Sequence, residues 1–149
     1  MKVEIKRLGP EDVAQAEDAV RSFKSATRSG SSLEALLRNP ANCLLVGEAG
    51  SEAVGYLMAY RLERPDREAS QMFVYEVDVA PDWRRQGVGT ALLEEIISLA
   101  RAERMFEAFV VTGRSNVAAR ELYTRAGGKV EDESALLFVY PLALEVHAA

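Results

Sequence analysis

The 149-residue chain has only one cysteine and one histidine, the residues that most often form disulfides, zinc sites and catalytic triads. Its one cysteine, Cys43, excludes an internal disulfide framework, and its one histidine, His147, argues against a His-based triad or a zinc site. No apolar run approaches the ~18–20 residues needed to cross a bilayer, and the first residues lack the pattern of a signal peptide. These absences predict a soluble, cytoplasmic protein with no metal and no membrane partner.

The charge balance also narrows the classes of partner. Eighteen Lys and Arg stand against 23 Asp and Glu, giving a net charge of −5, and no stripe interleaves basic with aromatic residues. This argues against nucleic acid and favours a cationic partner. The length and the 48% apolar content fit one domain over residues 1–149. The oligomeric state, including a homodimer, is left open.

Apolar periodicity predicts alternating strands and helices. Strands are predicted near residues 3–7, 43–47, 53–62, 71–80, 109–112, 130 and 136–140. Helices are predicted over residues 10–23, 32–38, 88–103 and 116–126, with Ser32 as the cap of the second and a charged loop over residues 63–70. This order predicts an α/β (α+β) domain with a mixed sheet of about six to seven strands and helices on both faces.

The most informative stretch joins a strand to the strongest helix at residues 79–90, VAPDWRRQGVGT. Glycines allow a tight turn there, and the first N–H groups of a helix favour an anion. With Arg84 and Arg85 adjacent, the stretch predicts a phosphate or pyrophosphate held mostly by main chain. A dinucleotide turn would need a small residue where Leu92 stands, and no Gly-Lys-Ser/Thr loop occurs. The alternative is an ordinary glycine-rich helix start.

The preceding strand bears two carboxylates. The period of two places Glu76 and Asp78 on one face, ~6.5 Å apart by strand rise. The other face is expected to hold Phe73, Tyr75, Val77 and Val79. Burial and mutual repulsion would raise at least one carboxyl pKa, so the pair would attract an ammonium ion and take its proton. The alternative is that the pair marks a solvated face.

Three further residues, Asn116, Tyr123 and Cys43, are candidates for chemistry. Asn116 and Tyr123 lie seven residues apart, so they share a face of the predicted helix, where Tyr123 is either functional or a core aromatic. Cys43 lies in an apolar strand with no paired base, which predicts a buried structural thiol. Cys43 is therefore not expected to carry a covalent intermediate.

The pattern Arg84-x-x-Gly87-x-Gly89 after a strand resembles the acetyl-CoA pyrophosphate loop of the GNAT N-acetyltransferase superfamily. Residues 116–127 resemble that family's pattern of Asn, Ala, Leu-Tyr and Gly. The resemblance implies that acetyl-CoA lies in a V-shaped gap between residues 77–79 and 109–111, and that a strand N–H meets the oxyanion. Catalytic roles are implied for Glu76, Asp78 and Tyr123, the last protonating the leaving thiolate. Cofactor contacts are implied for Val77, Val79, Arg84, Arg85, Gln86, Gly87, Val88, Gly89, Thr90 and Asn116.

Residues 54–127 also resemble the aminoglycoside 3-N-acetyltransferases within that superfamily, in segments such as residues 74–79 and 122–125. That family has Asp where Glu76 stands and an acid where Val139 stands, and the acids at residues 131–133 are candidates to replace the latter. The resemblance implies an aminoglycoside or polyamine acceptor and a role in antibiotic resistance. The alternatives are a protein or peptide acceptor and a non-catalytic CoA-binding sensor.

Overall fold

A computed structural model describes residues 2–143, so His147 lies outside the described residues. Within them the chain forms five strands and four α-helices. In chain order these are β1 (Glu4–Arg7), α1 (Val13–Phe23), α2 (Gly30–Arg38), β2 (Asn42–Ala49), β3 (Glu52–Arg64), β4 (Arg67–Val79), α3 (Val88–Ala102), β5 (Glu107–Val110) and α4 (Val117–Arg125). None of the described helices is long and apolar enough to cross a membrane.

The strands form one mixed sheet in the order β1-β2-β3-β4-β5. The first four strands pair antiparallel. Tight connections join β2 to β3 and β3 to β4, whereas α1 and α2 lie between β1 and β2. The crossover through α3 makes β5 parallel to β4. The predicted α/β class with a mixed sheet is therefore confirmed.

Each face of the sheet is covered by helices. On one face α3 contributes Leu92 and Ile96 to a core that includes Leu45 and Leu57 of β2 and β3. On the other face α1 and α2 pack on a second core around Val46. The alternation of β2 explains this, since its successive side chains enter opposite cores. The prediction of helices on both faces is confirmed.

A β-bulge interrupts β4 at Tyr75. Glu76 pairs with Met58 and Val74 pairs with Ala59, so Tyr75 is the extra residue between them. The bulge shifts the side-chain alternation by one position. Val77 and Val79 therefore pack on the α3 core together with Val74. The two valines thus lie on the face opposite Glu76 and Asp78, as the sequence predicts.

The bulge makes the face predicted for Phe73 and Tyr75 wrong. Phe73 pairs with Tyr60, whose side chain packs on the α1–α2 core, and Tyr75 contacts Tyr60 at 5.9 Å between ring centroids. Both aromatic residues therefore lie on the same side of the sheet as Glu76. A strict period of two could not anticipate this, because a bulge inserts a residue without an opposing partner.

β4 and β5 pair only over residues 71–74 and 107–110. Beyond Val74, residues 75–79 of β4 continue without a partner on that side, while the chain leaves β5 after Val110. The parallel strands thus separate next to the acidic residues. The backbone edge of β4 is open in the gap.

Three predicted boundaries are wrong. Ser29 caps α2, because its Oγ accepts a hydrogen bond from Ser32 N (3.4 Å), so Ser32 is inside the helix. Residues 63–70 form a tight hairpin in which Arg64 pairs with Arg67, so they are not a charged loop. The last paired strand begins at Glu107, where Gln71 of β4 provides its partner.

The two predicted C-terminal strands are absent from residues 128–143, so the prediction of six to seven strands is wrong for the described chain. After α4, Glu133 contacts Arg114 and Arg120, and residues 136–140 lie exposed away from the β5 edge. The apolar pattern of these residues suits a strand buried on both faces. In this structure they find no strand edge to pair with.

Candidate active site

The turn between β4 and α3 presents a row of unused backbone donors. Gly87 adopts φ 85° and Arg85 adopts φ 61°, both in the left-handed region, and α3 begins at Val88. No acceptor among residues 2–143 takes a hydrogen bond from the N–H groups of residues 85–90; the next donor along, Ala91, bonds Gly87 O at 3.0 Å. Such a turn at a helix N-terminus is suited to bind a phosphate group.

Side chains of the same turn hold its shape. Arg84 Nε donates to Val79 O at 3.2 Å, and Gln86 Nε2 donates to Asp82 O at 2.8 Å. A Cβ added at Gly87 would meet nothing within 4 Å, so the backbone there is open to a ligand. Residues 84–87 of the predicted loop are exposed, and Val88 and Gly89, which follow them at the start of α3, are buried.

Glu76 and Asp78 converge on a single ammonium group. Lys24 Nζ, at the C-terminal end of α1, lies 2.6 Å from Glu76 Oε2 and 3.2 Å from Asp78 Oδ2. The side chains of Glu76 and Asp78 are 26% and 40% exposed, so the pair is partly desolvated. The predicted carboxylate pair is thus a cation-binding group on the face opposite α3.

The surroundings of this ion group alter several pKa values. Burial would lower the pKa of Lys24, but the hydrogen bond to Glu76 and the nearby charges of Glu76 and Asp78 outweigh it and raise that pKa. Burial and then the charge of Glu76 raise the pKa of Tyr56, whose ring centroid lies 5.6 Å from Lys24 Nζ. At neutral pH the group is therefore a protonated amine held by carboxylates beside an un-ionised tyrosine.

α4 brings Tyr123 to the same region. Tyr123 is half-buried against the α3 core, and burial followed by the charge of Asp78 raises its pKa. Its hydroxyl therefore keeps its proton at neutral pH, which is the state a general acid needs before it reacts. Asn116 is the N-cap of α4, because its Oδ1 accepts from Ala119 N at 3.1 Å. Its amide nitrogen has no acceptor among residues 2–143.

The comparisons with known proteins agree with this geometry. Residues 11–128 match the model of the acetyltransferase (GNAT) family, which is most of the chain. The chain belongs to the GNAT acetyltransferase family. This is the family that the resemblance of its glycine turn predicted.

Solved structures share the GNAT fold over nearly the whole chain. An aminoglycoside acetyltransferase from an uncultured soil metagenomic sample, in complex with trehalose, superposes with a TM-score of 0.88 at 23% identity, covering 94% of this chain and 96% of that one. Its complex with sisomicin gives 0.87 at 22% identity over the same shares. Another aminoglycoside acetyltransferase from such a sample gives 0.84 at 26% identity, covering 96% of this chain and 100% of its own.

A relative with an assigned name is N-acetyltransferase 8 of Homo sapiens, 27% identical over 93 residues. The aligned part is 62% of this chain and 41% of that protein. The chain spans less than half the length of the curated relatives it matches.

Of the residues considered for this GNAT site, several lie elsewhere. Val139 is 71% exposed on the C-terminal segment, Asp132 accepts hydrogen bonds from Ser134, and Glu133 pairs with Arg114 and Arg120. Burial raises the pKa of the Cys43 thiol, as a structural cysteine requires. No group of metal-binding side chains is found within residues 2–143.

Sequence reasoning missed Lys24. It follows the last apolar residue of α1, Phe23, and lies just outside the helix predicted over residues 10–23. The only local signal is a lysine at a helix C-terminus, which is common on protein surfaces. Glu76 lies 52 residues away in the chain and Asp78 two residues further, so only the fold brings them to Lys24.

Proposed function

We propose that this GNAT domain, comprising residues 1–149, transfers an acetyl group from acetyl-CoA directly to a primary amine of a small cationic acceptor. The observation that supports this most strongly is the row of unpartnered N–H groups over residues 85–90 at the start of α3. The family uses acetyl-CoA, whose pyrophosphate is the anion that such a row of donors fits. Arg84 and Arg85 supply the countercharge.

The open edge of β4 supplies the next contacts. In the proposed complex, main-chain groups of Val77 and Val79 bond the pantetheine arm, and Asn116 contacts it through its free amide nitrogen. Val79 O already accepts from Arg84 Nε, so its contribution would come from the N–H group or a shared acceptor. The gap between β4 and β5 then directs the thioester toward the carboxylates.

The acceptor amine is proposed to bind at Glu76 and Asp78. The pair attracts the ammonium form and takes one proton, directly or through water, which frees the nitrogen lone pair to attack the thioester carbon. Attack forms the C–N bond of a tetrahedral intermediate, the nitrogen loses its second proton to solvent, and the C–S bond then breaks. Tyr123, which keeps its proton at neutral pH, gives it to the leaving thiolate and regains a proton from solvent after the step. Cys43 has no part, because it is buried in the sheet.

An aminoglycoside-type or polyamine acceptor is favoured by the acidic character of the site and by the names of the structural neighbours. Under this proposal the protein works in the cytoplasm, and modification of an aminoglycoside would confer antibiotic resistance. A protein or peptide amine is the alternative acceptor, and a non-catalytic CoA-binding sensor is the alternative role. Screening aminoglycosides, polyamines and peptides with acetyl-CoA and thiol detection separates these outcomes.

The cofactor site is tested by Gly87→Trp, with Gly50→Trp as a matched control. Both glycines have positive φ (85° and 63°) and no atom within 4 Å of an added Cβ, but Gly50 lies in the β2–β3 turn. The two substitutions therefore share their backbone strain. Calorimetry is expected to show acetyl-CoA binding abolished in Gly87→Trp and retained in Gly50→Trp. Equal affinity of both variants and wild type would refute the proposed cofactor site.

A further inference from the structure

Lys24 is placed at the acidic pair by the way α1 ends. Its backbone turns to an extended conformation (φ −126°, ψ 156°) while its N–H still bonds Val20 O at 2.7 Å. The helix therefore stops, and the side chain reaches across to β4. The resulting contacts join the end of α1 to the residues beyond the bulge.

The charges of Lys24, Glu76 and Asp78 do not cancel. Two carboxylates share one ammonium, and no other Lys or Arg among residues 2–143 forms an ion pair with Glu76 or Asp78. One net negative charge therefore remains. Asp78 Oδ2 is buried and accepts no well-oriented hydrogen bond, although Lys24 Nζ lies 3.2 Å away. The group has capacity for a further or better-placed donor.

Lys24 is at the rim of this group and not in the core. Its side chain is 35% exposed, and ion pairs with that much solvent access contribute little to stability. Beside it lies the ring of Tyr56, a face that attracts any cation in the same position. A competing cation can therefore displace the Lys24 ammonium from the two carboxylates.

We propose that the Lys24 ammonium occupies the acceptor-amine position in the unliganded enzyme and that the acceptor displaces it on binding. This inference rests on the proposed function. Lys24 is then a specificity-determining residue. A cationic amine replaces the lost positive charge, whereas a neutral acceptor would leave two carboxylates unpaired in a partly desolvated site. The enzyme would thus select protonated amines before the proton is removed.

Displacement of the Lys24 ammonium is tested by measuring amine binding in the absence of acetyl-CoA. Spermidine and sisomicin are titrated by calorimetry into wild type, Lys24→Met and the control Arg21→Met. Arg21 is in the last turn of the same helix and, among residues 2–143, forms an ion pair only with Glu17, so the control removes a positive charge without touching Glu76 or Asp78. We expect Lys24→Met to bind the amines about two- to fivefold more tightly, which is the change in affinity expected when a partly exposed ion pair no longer competes with the ligand. The control should match wild type.

A second measurement follows Lys24 itself. In protein with isotopically labelled lysine side chains, the Lys24 ammonium signal is assigned by its loss in Lys24→Met. Spermidine is expected to move this signal to the position of a solvated lysine. Lys24→Arg, which retains the positive charge, should bind the amines no more tightly than wild type and checks that the fold tolerates change here.

Several outcomes would overturn the inference. These are amine binding that is unchanged or weaker in Lys24→Met, no amine binding in either protein, or a Lys24 signal that stays in place while spermidine binds. A lower kcat with unchanged KM would make Lys24 a residue that positions the carboxylates. Failure of acetyl transfer with intact amine displacement would instead refute only the proposed function.

Discussion

Gly89 packs directly against Leu122, because a Cβ atom at position 89 would lie 3.0 Å from Leu122 Cδ2. The absence of a side chain lets the first turn of α3 touch α4. α3 begins at the donor-rich turn, and α4 bears Tyr123 next to Leu122 in sequence. The proposed phosphate site and the proposed proton donor are therefore fixed relative to each other by one close contact.

Gly89→Val is expected to push α4 away from α3. The extra methyl groups would overlap the Leu122 side chain, at a cost of about 1–3 kcal/mol in unfolding free energy. The displacement of Tyr123 should lower kcat more than it weakens acetyl-CoA binding. Denaturant unfolding and steady-state kinetics measure the two effects.

Gly113→Val serves as the control for this prediction. A Cβ at position 113 would meet nothing within 4 Å, and that glycine has no positive φ, so the same substitution adds bulk without a clash. It should leave stability within about 0.5 kcal/mol of wild type. Equal effects at positions 89 and 113 would mean that the α3–α4 contact has no part in the site.

Tyr123→Phe should remove the proposed proton donor without changing the fold. Positioned acids typically contribute ~10²–10⁴-fold to rate, so kcat is expected to fall at least about 100-fold, with acetyl-CoA affinity changed less than about twofold. Steady-state kinetics and calorimetry provide the two numbers. Tyr140→Phe, on a side chain that is 81% exposed, should retain wild-type turnover. Undiminished turnover of Tyr123→Phe would indicate another acid, or a protein that senses CoA without catalysis.

Stability should fall at high pH because of Tyr56. Burial, and then the charge of Glu76, raise the pKa of this phenol in the folded chain. The unfolded chain releases the proton near pH ~10, so the folded state holds more protons above that pH and the free energy of unfolding decreases. The slope is up to ~1.4 kcal/mol per pH unit for one group.

Tyr56→Phe should make that slope shallower. Urea unfolding at a series of pH values compares the two proteins, and the window from pH 6 to 8 is the internal control, because neither state ionises a tyrosine there. In that window the stability difference between the proteins should be constant. A slope above pH ~10 that is identical in both would contradict the assignment to Tyr56.

Much of the fold follows from local sequence patterns. The apolar stripe of α3, the short apolar run of β2 and the glycine turn before Val88 predict these elements to within one or two residues. The mixed sheet follows from the order of elements. The bulge at Tyr75 could not be predicted from the sequence, because one extra residue leaves no signal in composition. It nevertheless places both Phe73 and Tyr75 on the face opposite the predicted one.

In the C-terminal segment, the sequence predicts strands that the structure does not contain within residues 128–143. Residues 136–140 have the composition of a buried strand, but strand formation needs an edge to pair with, and sequence composition does not provide one. The cap of α2 at Ser29 differs from the predicted Ser32 for a smaller reason. Both serines precede the same apolar stripe, and backbone geometry selects between them.

The sequence by itself determined the chemistry available: a glycine turn with arginines, two carboxylates on a strand, and a tyrosine two turns after an asparagine. Those patterns depend on neighbours in the chain, where spacing fixes geometry. Only the tertiary structure decided that Lys24 meets Glu76 and Asp78, and that Gly89 meets Leu122. Contacts between residues so far apart in the chain arise from how helices pack on the sheet, and no local pattern encodes them.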